Sequence, residues 1–170
     1  MGKTPKHTTA MILYHGSTDI ITQPLAKAGR PDLDFGQGFY TTDILEQAQK
    51  WADRISRQRH ERAVINVYEF DKEKAEREYR YLKFEAYDIL WLDFIAACRT
   101  GKPLWKDYDC IEGGIANDRV IDTVEAYIAG TTDASHALEE LSKHQPNNQI
   151  CIISQRLIDD CLKYKETQPC

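Results

Sequence analysis

Four short stretches carry the residues best suited to chemistry. A histidine, a glycine and a serine close the apolar run MILYHGS (11–17). Two aromatics follow, Tyr40 in DFGQGFYTT (34–42) and Trp51 in the segment after it. Gln149 opens the late apolar run NQICIIS (148–154), and EGGIAND (112–118) places Asn117 and Asp118 after a glycine pair. Histidine donates or accepts near neutral pH. Glycine lets a ligand approach bare backbone, an aromatic ring stacks on a flat ligand, and glutamine supplies a donor and an acceptor without charge. Taken singly, each has a structural reading: His15 as a strand-end residue, Tyr40 as a turn plus a core ring, Gln149 as an edge hydrogen bond, EGGIAND as a strand end, turn and helix cap.

Other chemistries fit poorly. DFG at 34–36 is not accompanied by the catalytic loop or strand lysine of a kinase, and GQG lacks the third glycine of a dinucleotide-binding fingerprint. No GxSxG elbow is present, and the five histidines show no HxH or HExxH spacing. Cys98, Cys110, Cys151, Cys161 and Cys170 form no CxxC pair, which argues against structural zinc. Cys98 and Cys151 stand among apolar neighbours, where a buried thiol is the usual outcome. A net charge of −5 gives no overall basic footprint for nucleic acid. Arg54, Arg57, Arg59, Arg62 and His60 in RISRQRHER form a local basic patch, read as a solvated helix end. An odd thiol count, no apolar leader in MGKTPKHTTA and no membrane-length run point to a reduced, cytoplasmic setting with no membrane partner.

The elements that position these residues follow from period and punctuation. Residues 11–17, 38–40, 63–70, 79–84, 108–114 and 148–154 read as strands. Residues 43–56, 87–99, 117–130, 133–144 and 155–165 read as helices, the first capped by Thr42 or Asp43 and the third by Asn117 or Asp118. Residues 18–37 read as a long loop of the kind that carries function, and 71–79 as a charged connection. The expected class is α+β, one domain over 1–170 with 1–10 as a flexible tail.

In order, YHGS, GQGFYTT, an aromatic two turns into the next helix and NNQICII resemble the ADP-ribosyltransferase superfamily, in its diphtheria-toxin and poly(ADP-ribose) polymerase-like branch. The set LYHGS, DFGxGFYxT, AND and NNQI resembles a bacterial family of unknown function assigned to that superfamily, from about residue 12 to the chain end. The resemblance implies a split β-sheet core with peripheral helices, NAD as substrate and no metal. It implies that His15 holds ribose hydroxyls, Gly16 and Ser17 the nicotinamide amide, and that Tyr40 and Trp51 flank the nicotinamide ring. Gly38 and Thr42 belong to the same strand motif, while Asp34 and Arg30 are loop contacts and Asn117 and Asp118 lie at the rim. Where the branch has a catalytic glutamate this chain has Gln149, which leaves open a native glutamine with an assisting acid (Glu112, Asp109 or Asp118), the favoured reading, or a weak or inactive enzyme. The alternatives are a degenerate fold that binds a nucleotide or partner, and an NAD glycohydrolase. The implied activity is single-unit transfer of ADP-ribose to a macromolecular acceptor, protein slightly favoured over nucleic acid, by a toxin or modifier that pairs with a small antitoxin-like partner.

Overall fold

The computed structural model describes residues 10–117 and 120–170. Nearly all of the expected N-terminal tail, and Asp118, lie outside the described residues.

The order of elements is β1 (Met11–Ser17), β2 (Phe39–Thr41), α1 (Leu45–Arg59), β3 (Val64–Phe70), α2 (Lys72–Glu78), β4 (Tyr81–Lys83) and α3 (Ile89–Arg99). It continues with β5 (Cys110–Gly113), α4 (Ile121–Ala129), α5 (Ala134–Leu141), β6 (Gln149–Ile152), α6 (Gln155–Cys161) and β7 (Leu162–Pro169). The strands form two sheets, β1-β3-β7 and β2-β6-β5-β4, and the fold is α+β. Among the described strands only β4 and β5 pair in parallel.

Side-chain alternation shows how the layers stack. In the four-stranded sheet Phe39, Cys110, Ile150 and Ile152 turn toward Leu13, Tyr68 and Phe70 of the three-stranded sheet. Ile111 and Cys151 turn the other way, onto Trp91, Leu92, Ile95, Val124 and Leu141 of α3, α4 and α5, where Tyr40 also packs. The outer face of the three-stranded sheet is covered by α1, through Ala48 and Ala52 against Ile65 and Val67. Among the described residues one bridge, Tyr14 to Thr42, links the two sheets.

Several elements differ from their sequence-based outlines. The charged stretch 71–79 contains α2, whose N-cap Asp71 accepts from the Lys74 N–H. The helix expected over 155–165 stops at Cys161 and becomes β7, because Leu162 and Tyr164 pack with period two on the inter-sheet core. Helix α1 runs on to Arg59 and ends on His60 at φ 55, in the left-handed region. Its N-cap is Ile44, without a side-chain cap bond. Thr42 Oγ1 instead accepts from the Ile44 N–H. Helix α4 begins at Ile121 with Val120 as N-cap, not at Asn117, although the Asn117 carbonyl accepts from Ile121.

Candidate functional site

His15 and Gly16 stand where the two sheets part. Tyr14 exchanges both backbone bonds with Thr42, at 2.8 and 3.0 Å. Backbone groups of alternate residues point to the same edge of a strand. The N–H and C=O of Gly16 therefore face the same outer edge of β1 as those of Tyr14, and among the described residues no further strand lies beside β1 there. The next side chain inward, His15, stacks on Phe39 with ring centroids 4.5 Å apart. Its Nδ1 lies 2.6 Å from the Tyr40 carbonyl. A carbonyl only accepts, so Nδ1 carries the proton and the neutral ring keeps Nε2 as an acceptor. Burial lowers the His15 pKa and the bond to Tyr40 only partly offsets this, so the ring is neutral at neutral pH.

Packing by itself requires a glycine at position 16. A Cβ there would stand 2.1 Å from the Ala48 carbonyl oxygen and 2.8 Å from the Ala52 nitrogen. It is the packing of α1 on β1 that excludes a side chain, and it brings the helical turn carrying Trp51 beside Gly16.

The DFGQG turn is likewise fitted to the protein itself. Gly36 sits at φ +78, and a Cβ on it would enter the Trp105 indole. A Cβ on Gly38 would meet Cys151 Sγ at 2.5 Å. The Tyr40 phenol turns back onto this turn, donating to the Gly36 carbonyl at 2.5 Å and accepting from the Phe35 N–H at 3.1 Å. Burial, and then the neighbouring Cys151, raise its pKa well above the ordinary value. Asp34 is buried, with Arg99 on Oδ1 at 2.7 Å and the Ala116 N–H on Oδ2 at 2.9 Å. Its carboxylate is a clamp between the loop, the end of α3 and the segment after β5. Arg30 is exposed on the same loop.

A cavity of about 620 Å³ opens between α1 and the loops leading out of β5 and into β6. Gln47, Trp51, Arg54, Asn117, Lys143 and Asn147 are among its lining residues. That volume is in the range of small-molecule sites. Its rim carries charges of both signs: Lys50 pairs with Glu46, which also lines the cavity, and Lys143 pairs with exposed Glu140. Trp51 and Asn117 thus share one cavity, whereas His15, Gly16, Ser17, Tyr40 and Gln149 are not among its lining residues.

At the inner end of this region Asn148 is a hub. Its carbonyl accepts from Thr42 Oγ1 at 2.7 Å and from Gln47 Nε2 at 2.9 Å. Its side-chain amide donates to Asp43 and to Glu112 Oε2 at 3.0 Å. Glu112 is buried and also accepts from Tyr81 at 2.6 Å and pairs with Lys72 at 2.9 Å. Burial alone would raise its pKa, but the bonds from Tyr81, Lys72 and Asn148 outweigh it and hold the carboxyl below its ordinary value. Glu112 lies on the inter-sheet face of β5, with Cys110. Gln149 alternates with Ile150 and shares the opposite face with Cys151 and Tyr40. The expected assisting acid is therefore not on the same face as Gln149. Gln149 is buried and its Nε2 has no hydrogen-bond partner among the described residues; the same is true of Gln47 Oε1.

The remaining expected residues have local tasks. Ser17 Oγ accepts from the Asp19 N–H, and Thr42 is spent on Asn148 and Ile44. Asp109 accepts from the Arg80 N–H at the sheet edge. Cys98, Cys110, Cys151 and Cys161 are buried free thiols. Burial pushes Cys98 up to about 12 and Cys161 to about 11, out of the reactive range. Among the described residues no group of three His, Cys, Asp or Glu could hold a metal, and no helix is long and apolar enough to cross a membrane. Sequence reasoning missed Gln47, Asn148, Lys143 and Arg99. The available signal for Gln47 is its place one turn before Trp51, a polar residue beside an apolar stripe.

Residues 11–164 match the family described as "Protein of unknown function (DUF3990)". The chain belongs to this family. Neither the curated proteins nor the solved structures gave a match. The shared segment spans β1 to Tyr164 in β7, so every side chain of the site described above lies within the family's own extent.

Proposed function

We propose that this DUF3990 chain is a mono-ADP-ribosyltransferase that takes NAD as substrate, releases nicotinamide and passes ADP-ribose to a macromolecular acceptor. The observation that carries the reading is the edge of β1 at Gly16, where an outward N–H and C=O lie beside a His15 ring locked in one tautomer by the Tyr40 carbonyl. One backbone donor and one backbone acceptor match a primary carboxamide such as that of nicotinamide. The acceptor Nε2 of His15 suits a ribose hydroxyl. The turn carrying Trp51 packs on Gly16, and its indole in the cavity wall offers a face for a flat ring. Lys50, Arg54 and Lys143 in the cavity wall bring cations toward a pyrophosphate, against the carboxylates of Glu46 and Glu140.

In the reaction the C–N bond to nicotinamide breaks, and the leaving pyridine takes the bonding pair. An acceptor nucleophile then bonds the ribose carbon and gives up its proton. Gln149 holds a ribose hydroxyl through its unpartnered amide but brings no charge to the oxocarbenium-like centre. A missing electrostatic stabiliser of this kind costs on the order of 100-fold in rate. Slow, single-unit transfer is the corresponding expectation. Glu112 acts through Asn148 as a positioning residue. The acidic balance of the chain favours a protein acceptor in the cytoplasm, and a small neutralising partner fits a toxin role.

The test is transfer of labelled ADP-ribose from NAD by the wild type and by His15→Ala. Strong loss of labelling in the variant is expected, and equal labelling overturns the proposal. The uncharged Gln149 favours a second reading, a degenerate transferase fold that binds nucleotide without turnover. Calorimetric NAD binding with no product, even in Gln149→Glu, would select it.

A further inference from the structure

Gln47 is nine-tenths buried, lies in the wall of the α1 cavity, and leaves its Oε1 without a donor. The orientation of its carboxamide is not open to a flip. Only the NH₂ end can face the Asn148 carbonyl at 2.9 Å, since two oxygens would repel there. The Asn148 side chain is in turn held by Asp43 and by Glu112, whose carboxylate is pinned by Lys72 and Tyr81. A chain of bonds rooted in the half-buried Lys72–Glu112 ion pair therefore fixes an acceptor that nothing in the described protein uses. A buried acceptor without a donor is unfavourable, and natural folds rarely keep one without a reason. The Asn148 carbonyl already has the Thr42 hydroxyl, so architecture alone does not require Gln47.

We infer that Gln47 Oε1 is a reserved acceptor for a neutral N–H or O–H donor of the bound dinucleotide. This rests on the NAD reading above and adds to it a residue that supplies specificity. Shielded from bulk water, such a bond meets little competition. An anionic group is disfavoured at the same place, because it offers no proton and would face a carbonyl dipole. Two parts of NAD carry the required chemistry, the nicotinamide carboxamide and the sugar hydroxyls.

The experiment measures calorimetric Kd for NAD, nicotinamide and ADP-ribose, together with Tm, in wild type and Gln47→Met. Methionine keeps the length and helix propensity of glutamine and removes the orphan acceptor together with the Nε2 bond to Asn148, whose carbonyl keeps the Thr42 hydroxyl. The expected result is an unchanged or higher Tm with NAD binding weakened roughly 3- to 10-fold, the range of one neutral hydrogen bond. Parallel weakening of nicotinamide assigns the donor to the carboxamide, and parallel weakening of ADP-ribose assigns it to a sugar hydroxyl. Unchanged Kd for all three ligands overturns the inference alone. A lower Tm with proportionate loss of binding also overturns it, since that marks a structural residue. Gln47→Ala repeats the comparison without added bulk should methionine misfit. A wild type that binds none of the three overturns this inference and the NAD reading together.

Discussion

Glu112 and Gln149 are both buried polar side chains on adjacent strands, close in space and opposite in circumstance. Gly113 pairs with Gln149 and Glu112 with Ile150, so alternation sends the two side chains to opposite faces of one sheet. Glu112 has three partners, two of them charged or phenolic, and its depressed pKa records how well the charge is satisfied. Gln149 has an amide nitrogen with none. A carboxylate is the more usual functional group, yet here it is committed to architecture. The uncharged amide is the one left available. Partnering, more than residue type, separates a side chain that holds the fold from one that can hold a ligand.

Substitutions can break this contrast. The largest effect is expected from Glu112→Ala, which leaves Lys72 and the Tyr81 hydroxyl facing a vacated buried site. A loss of about 3 kcal/mol in urea unfolding is expected, at the lower end for broken buried pairs because Lys72 keeps some solvent contact. A loss well under 1 kcal/mol would remove Glu112 from the frame of the fold. Gly16→Ala comes next. Its Cβ meets the backbone of α1, which cannot rotate aside as a side chain can, so about 2 kcal/mol is expected from overpacking. On the proposed NAD reading, NAD binding should fall in the same variant, because α1 carries both Trp51 and Gln47.

Gln149→Met should show the reverse pattern. Stability stays within about 1 kcal/mol of wild type, since an unpartnered donor is lost, while NAD binding weakens measurably by calorimetry. A large destabilisation instead would make Gln149 as architectural as Glu112.

The smallest effect is a pH dependence that separates two groups by range. His15 is held below its ordinary 6.5 by burial. The unfolded chain therefore takes up this proton first, and stability declines as pH falls below 6.5 toward the lowered folded value. Glu112 is held below its ordinary 4.5, so its contribution is complete above that and is lost as pH falls through the lower folded value. The exposed His136, raised by Asp133, acts in the opposite sense as pH falls through its range, until Asp133, itself held below its ordinary value, takes up a proton; both are screened by solvent. In chemical denaturation, His15→Gln should flatten the upper limb of the decline and leave the lower limb in place.

Local sequence alone determined much of the frame. The alternation in AVINVYEF and the apolar runs at 11–17 and 148–154 specified β3, β1 and β6, and the spacing of Ala48, Trp51, Ala52 and Ile55 specified α1. These patterns are legible because each element buries one face and its period is written in adjacent residues. QRLIDDCLKYK was not legible past Cys161. It suits a helix or a strand, and the choice of β7 rests on Leu162 and Tyr164 finding the inter-sheet core. The candidate residues were legible as types and order, but not as roles. Asp34 reads as a ligand contact until Arg99, far along the chain, closes on it. Glu112 reads as a spare acid until Lys72, Tyr81 and Asn148 surround it. Gln47 reads as an ordinary helix residue until its amide is fixed and its carbonyl left unpaired. Period and propensity are short-range properties that a sequence displays directly. Whether a buried polar atom has a partner depends on which distant strands and helices meet, and only the tertiary structure decides that.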